Sequence, residues 1–564
     1  MLTKLTRKEK FIYFILFSTI LLIYLYTLPF DVMDIDSSQY AEITREMVEN
    51  SEYFFIRDNG KKYLDKPILT FWIISIFYKV FGIHNFSFRI SALTFAILST
   101  IGIYQISFLI FENQRKSILS ALLFLISPGL FSMVLNPLID IYLIFFLIYT
   151  FYFYYLGILK NPNYFYFMYF FIVLGFITKG PISLVIPLFS IGGNLVLTRN
   201  WSILKKIKIF SGIMIILIPV FFWSYLLYKD FGIYGPYFFL YLQSFGRFFN
   251  KIYDVSLNPF YFYFTYFFYV LPFGIPFLFA LKLKKDSLFE KKILPQNSLK
   301  NKIKFLYDSI YKKDISLYLW GFLVLFLLSF SRFQLPQYVF WVIPANCILA
   351  GHLIESYFTQ IQNSKIRYLH FFVLLFALFS LLGIHFYGNF ELSFFVFLIA
   401  IIAFILSIMY PNFLNFSYAS FFVIYSYVVS VLYPFLISFQ PSSKIATKIL
   451  ETKEFKQQYL YTLGIPLSYK SLPFYTKKIT KDYFLKKEDF WTDLKKEKIM
   501  FVVSHQFFLE TLQKELKERK DIQIEILGSF PSLKVSKPKI KYLNPNHREK
   551  YIEKIFLVKI TKID

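Results

Sequence analysis

Apolar runs long enough to cross a bilayer recur along this chain almost from end to end, and they leave it few ways to fold. About thirteen can be counted, near residues 11–28, 87–111, 117–135, 138–157, 163–178, 181–197, 209–227, 259–281, 317–331, 338–354, 368–385, 393–410 and 414–437. Runs of this kind with few charges read as membrane helices once tilt is allowed for. The bilayer offers no water to the backbone, so such segments must satisfy their own N–H and C=O groups as helices. Composition agrees: 57% of residues are hydrophobic, 17% are charged and the mean hydropathy is +0.52, against roughly 25% charged in soluble domains. The expected fold class is an α-helical polytopic membrane protein of about thirteen transmembrane helices. Residues 1–439 form the membrane domain, and residues 440–564 a small soluble α/β domain.

Lys and Arg outnumber Asp and Glu by 61 to 35. In a soluble protein that excess would point to nucleic acid. Here it falls in short loops between apolar runs, where it signals topology and attraction to anionic lipid, and no nucleic-acid partner is expected. Lys4, Arg7, Lys8 and Lys10 place the N-terminus inside. Strict alternation then puts Arg115, Lys116, Lys160, Arg199, Lys205, Lys206 and the lysine-rich 282–316 loop on the same side. The short loops near 136, 333 and 388 hold one basic residue, Arg332. Thirteen crossings place residues 440–564 outside. The expected location is the bacterial inner membrane, with the C-terminal domain periplasmic. The 76 Phe and 45 Tyr are spread along the whole chain, which reads as compositional bias rather than as belts. The single cysteine, Cys347, excludes an intrachain disulfide. The run 11–28 reads as a retained helix, since no small-residue cleavage site follows it.

Two outer segments exceed simple connectors. Residues 29–86 hold two amphipathic stretches, expected to lie at the interface. One is capped by Asp36 and runs through Asn50 with Tyr40, Ile43 and Met47 on one face; the other begins near Lys66-Pro67 and runs to Phe81. Residues 228–258 form the second outer loop. In the tail, 499–503, 522–527 and 555–560 have strand character, and 506–519 reads as an amphipathic helix.

Charged residues cluster in these outer segments. Asp34 and Asp36 can serve as a general base or hold a divalent cation; equally, Asp36 can cap its helix while Asp34 stays solvated. Lys66 can hold a phosphate as a point charge or snorkel. Asp140, inside an apolar stretch, is a functional candidate or a wet helix start. Lys179 stands where Gly180-Pro181 breaks the chain between two helices, and Arg247 adds a cation in the second loop. All map to one membrane face, which favours a site for an anionic, membrane-held substrate. A lipid or small-molecule transporter would instead place ionisable groups near the midplane, and most apolar runs here are uncharged in their middles.

The pattern Asp36-x-x-x-Tyr40-Ala41-Glu42-Ile43-x-Arg45-Glu46-Met47, with Lys62-Tyr63-Leu64-Asp65-Lys66-Pro67 and Thr178-Lys179-Gly180-Pro181, resembles the bacterial aminoarabinose transferases of lipid A and their protein O-mannosyltransferase relatives. Ser331, Pro336, Tyr338, Pro344 and Ser471-Leu472-Pro473-Phe474-Tyr475 fit the same pattern. The resemblance implies a GT-C type fold and transfer of a sugar from a polyprenyl-phosphate donor to a lipid or protein acceptor. It implies that Asp36 is the catalytic carboxylate, with Asp140 a second acid in the cavity. Tyr40, Tyr63 and Tyr338 would line the site, and Lys66, Lys179 and Arg247 would hold the donor phosphate. Asp65 takes the place of a glutamate that can help bind a divalent metal ion. The chain departs from the family pattern at Ser37, Gln39, Ser244 and Gln334.

Overall fold

The computed structural model describes the chain apart from residues 1–4, 247–257, 291–313, 453–454, 456–458, 466–469, 484–486, 517–520, 536–537 and 564. Each of the thirteen apolar runs falls on a helix or on a bent pair of helices. Among the described residues, seven helices are long and apolar enough to cross a membrane, or up to nine when each of two bent pairs is taken as one span. The remaining runs are shorter apolar helices, such as Tyr164–Lys179 and Phe394–Met409. The N-terminal helix α1, Arg7–Tyr26, opens on a capping box in which Thr6 and Glu9 exchange side-chain bonds. Glu9 also meets Arg115 at 2.8 Å, so two segments expected on the same side share one end of the bundle.

The run 117–135 is two helices, Gln114–Leu125 and Pro128–Leu135, bent by 50°. Pro128 lacks an N–H, so it cannot continue the first helix and instead starts the second behind Ser127. The carbonyls released at the break cannot remain bare within the bundle. Tyr24 donates its hydroxyl to Leu125 O at 2.8 Å, and Tyr425 donates to Ile126 O at 2.6 Å. Aromatic residues that composition treats as bias therefore have particular work here. Close packing nearby depends on Gly351: a Cβ there would stand 2.6 Å from Ser120 N, as expected where helices meet through small residues.

The first long loop holds α2, Asp36–Glu49, and α3, Leu69–Phe81, with a short hairpin between them of β1, Arg57–Asp58, and β2, Lys61–Lys62. Two expectations change. α2 buries residues on every side, including Glu42, Arg45 and Glu46, because it is roofed by the tail rather than lying half-exposed. α3 starts at Leu69, so Pro67 precedes the helix instead of occupying its first turn. The next helix, α4, Asn85–Phe111, carries the wholly buried Arg89.

The tail is a five-stranded mixed sheet. Its strands are β3, Tyr459–Leu463; β4, Ile479–Asp482; β5, Ile499–His505; β6, Ile522–Ser532; and β7, Glu553–Lys562. Their spatial order is β4-β3-β5-β7-β6. β4, β3 and β5 run parallel, and β7 is antiparallel to both β5 and β6. The parallel half needs crossovers, which the helices Ser471–Thr476 and Lys487–Lys496 supply.

Candidate functional site

α2 begins where the chain leaves α1, and its start decides what Asp36 can do. The N-cap position belongs to Ile35, and no side chain caps the helix. Asp36 is therefore the first helical residue, in the first turn, where the helix dipole favours a negative charge. Asp36 keeps solvent exposure as a residue, and its carboxylate takes part in no hydrogen bond or ion pair among the described residues. The capping role open to Asp36 in the sequence is not the one it plays.

What surrounds Asp36 is electrostatic. Desolvation by the packed protein raises its carboxyl above the usual range; Lys66 and Lys179 pull it down, and Asp65 and Asp140 push it up. The buried Tyr40 phenol feels Asp36, Tyr63, Asp65 and Asp140 together. Residues from the first loop and from two later helices thus converge on one place. Arg247 lies outside the described residues, as do the lysines of 291–313.

The two cations are held differently. Lys66 Nζ lies 2.5 Å from Asp65 Oδ2. Gln243 donates to the other oxygen of Asp65. Lys179 Nζ meets both oxygens of Asp140, at 2.5 and 2.6 Å. Asp140, 3% exposed, also accepts the Trp341 indole N–H at 2.7 Å. It is a buried partner of Lys179, not a wet helix start. Beneath the ammonium lie the rings of Tyr338 and Trp341, with centroids at 5.1 and 5.2 Å. They stack on each other at 4.5 Å because Pro336–Val342 is a 3₁₀ helix, which brings i and i+3 into line. Such a platform adds cation–π attraction to the ion pair.

The donors around Asp65 do not suit a divalent metal. An ammonium occupies the position a cation would take on Oδ2, and no group of three His, Cys, Asp or Glu stands together among the described residues.

Asp34 is also not solvated. It is buried, and its carboxyl accepts from Ser38 Oγ at 2.7 Å, Ser471 N at 2.7 Å and Ser471 Oγ at 2.9 Å. Desolvation pushes it up to about 7 despite these bonds and the nearby Lys470. A carboxyl with a raised folded pKa binds more protons in the native than in the unfolded state, so its contribution to stability falls as pH rises from about 4 to about 7. The loss is on the order of 2–4 kcal/mol. An amide in place of this carboxyl would keep one acceptor for Ser38 and Ser471 N and would donate to Ser471 Oγ, so Asp34→Asn should flatten this slope. Thermal unfolding of the detergent-solubilised protein between pH 4.5 and 7.5 measures it; an unchanged slope would refute the assignment.

The family described as dolichyl-phosphate-mannose-protein mannosyltransferase matches residues 65–225. The undecaprenyl phosphate-alpha-4-amino-4-deoxy-L-arabinose arabinosyl transferase of Wigglesworthia glossinidia brevipalpis is 28% identical over 364 residues, 61% of this chain and 58% of that protein. The enzyme of the same description from Yersinia enterocolitica is 33% identical over 112 residues, 19% of this chain and 20% of its own length. The aligned stretch thus spans less than two thirds of these relatives. The crystal structure of ArnT from Cupriavidus metallidurans bound to undecaprenyl phosphate superposes over 97% of both chains with a TM-score of 0.71, at 17% identity. The chain has the ArnT fold. In sequence and in fold together it is similar to the superfamily of aminoarabinose transferases and protein mannosyltransferases.

Within the ArnT fold of this chain, three participants escaped the sequence reading. Trp341 and Gln243 orient the acids that pair with Lys179 and Lys66. Trp341 could have been found three residues after Tyr338, but only by supposing a 3₁₀ turn. Arg89 donates to Leu135 O at 2.8 Å, Asp31 O at 2.7 Å and Tyr433 Oη at 3.1 Å, and also to Phe30 O. It thereby fixes the segment leading into Asp36. An arginine inside the apolar run 87–111 was the available signal.

Proposed function

We propose that the chain transfers a sugar from a polyprenyl-phosphate donor to a lipid acceptor of the lipid A kind, at the outer face of the bacterial inner membrane. The observation that carries this reading is the Asp36 carboxylate, without a hydrogen bond or ion pair among the described residues, within the field of two cations, Lys66 and Lys179. A phosphate monoanion or dianion on a lipid tail matches those cations. The names of the relatives, which specify undecaprenyl phosphate and an aminoarabinose, support the same donor class.

In this reading Lys66 and Lys179 hold the donor phosphate with its sugar facing Asp36. The acceptor oxygen attacks the anomeric carbon as the bond from that carbon to the phosphate oxygen breaks. The bonding electrons leave with the phosphate, whose growing charge the two ammonium groups offset. The hydroxyl proton passes to Asp36, and one displacement inverts the anomeric carbon. Asp140 and Trp341 hold Lys179 in place, and Tyr40, Tyr63 and Tyr338 line the cavity. Arg247, in the second outer loop, is proposed as a further phosphate cation. The N-terminus is cytoplasmic and residues 440–564 form a periplasmic domain. The match of residues 65–225 to protein mannosyltransferases favours a protein acceptor as the second reading.

The test is transfer by the purified protein from undecaprenyl-phosphate sugars, offered lipid A or a Ser/Thr-containing peptide, with products read by mass spectrometry. Sugar on lipid A supports the first reading, and sugar on the peptide the second. Donor recovered intact with every acceptor and sugar would end both.

A further inference from the structure

The tail domain touches the chain where Asp36 is placed. Gln440 closes a ring on the backbone just before Asp36: its Oε1 accepts from Asp34 N at 2.9 Å, and its Nε2 donates to Val32 O at 2.8 Å. Ser471, wholly buried, donates both N–H and hydroxyl to the Asp34 carboxyl. Tyr475 Oη accepts from Val32 N at 2.7 Å and donates to Asn85 Oδ1 at 3.0 Å. Lys470 meets Asp58 at 2.9 Å, and the same Asp58 oxygen accepts from Gln39 of α2 at 2.6 Å. The backbone of Val32 and Asp34 has no regular element of its own to pair with, so the tail supplies its partners. These bonds join residues about four hundred positions apart in the chain. None of them reaches the cluster of Asp36, Lys66 and Lys179 directly.

We infer that Ser471 and Tyr475 are positioning residues: the tail domain sets where Asp36 stands relative to the two lysines, and so controls the chemical step without touching the donor. The inference rests on the transfer reading above for its kinetic consequence, but not for its geometry. A misplacement of about 1 Å in a reacting group costs up to about a hundredfold in rate. Removing the Ser471 hydroxyl leaves its N–H on Asp34, and Tyr475→Phe leaves Val32 N without its acceptor, so both changes loosen the segment without emptying the core.

The experiment uses full-length protein in detergent, with Ser471→Ala and Tyr475→Phe as separate variants and Ser471→Thr as the conservative control. For the first two we expect kcat to fall about ten- to a hundredfold, with the donor KM nearly unchanged; Ser471→Thr should restore most of the rate. In an Asp36→Asn background the same substitutions should cost almost nothing further, since they act through Asp36. A second measurement needs no turnover: the rate at which a carbodiimide and an amine label Asp36, located by peptide mass spectrometry, should change in both variants. Equal losses with and without Asp36, or unchanged kcat with unchanged labelling, overturn the inference. A wild-type protein that transfers no sugar, while its Asp36 labelling responds to Ser471→Ala, overturns the proposed reaction and leaves the positioning role standing.

Discussion

Asp36→Asn should lower transfer by about 10²–10⁴, the range a positioned acid or base supplies, while leaving the fold intact. The side chain makes no hydrogen bond or ion pair among the described residues, and the residue is exposed. Amide for carboxylate therefore removes no contact, and stability should stay within about 0.5 kcal/mol. The residual rate should come from the phosphate binding and donor orientation proposed for Lys66 and Lys179. In the wild type, activity should fall as pH drops through the Asp36 pKa. That pKa is raised by desolvation, so the acid limb should lie above the range of an ordinary carboxylate. A purified Asp36→Asn protein with wild-type kcat would remove the catalytic role of this group.

Lys179→Met should damage both stability and activity, and the two effects can be separated. Lys179 and Asp140 form a buried pair, with side chains 12% and 4% exposed. Breaking such a pair strands the remaining charge and costs about 3–5 kcal/mol, whereas removing both charges costs far less. The double variant Lys179→Met with Asp140→Asn should therefore recover most of the thermal stability lost by the single change, since the introduced amide oxygen can still accept the Trp341 N–H. Transfer should not recover, because the cation proposed to hold the phosphate is gone. Recovery of transfer along with stability would reduce Lys179 to a structural role. Trp341 enters this balance as the second donor group on Asp140, its N–H at 2.7 Å from Oδ1.

The helices were legible because each is a local fact. The run 138–157 is apolar over the thickness of a bilayer, and no tertiary contact is needed to make it the helix Ile139–Leu159. The bend at Pro128 was less so: proline announces a break, but not that Tyr24 and Tyr425 will cover the exposed carbonyls. In the tail, β5, β6 and β7 carry enough apolar residues to be seen, while β3 and β4 are short and take their definition from pairing.

The candidate site divides in the same way. Residue type and loop position sufficed to bring Asp36, Lys66, Asp140 and Lys179 under consideration, since ionisable groups beside membrane helices are costly to keep. Sequence alone determined the membrane fold class and the identity of the charges. Only the tertiary structure decided which charge pairs with which: Asp140 is tied to Lys179, Asp65 to Lys66, Asp34 to the tail, and Asp36 is left to act. The reason is physical. Hydrophobic runs act through the solvent around a single segment, whereas the state of a carboxylate depends on donors within about 3 Å, and Lys179 and Trp341 on Asp140, Gln243 on Asp65 and Ser471 on Asp34 come from segments tens to hundreds of residues away.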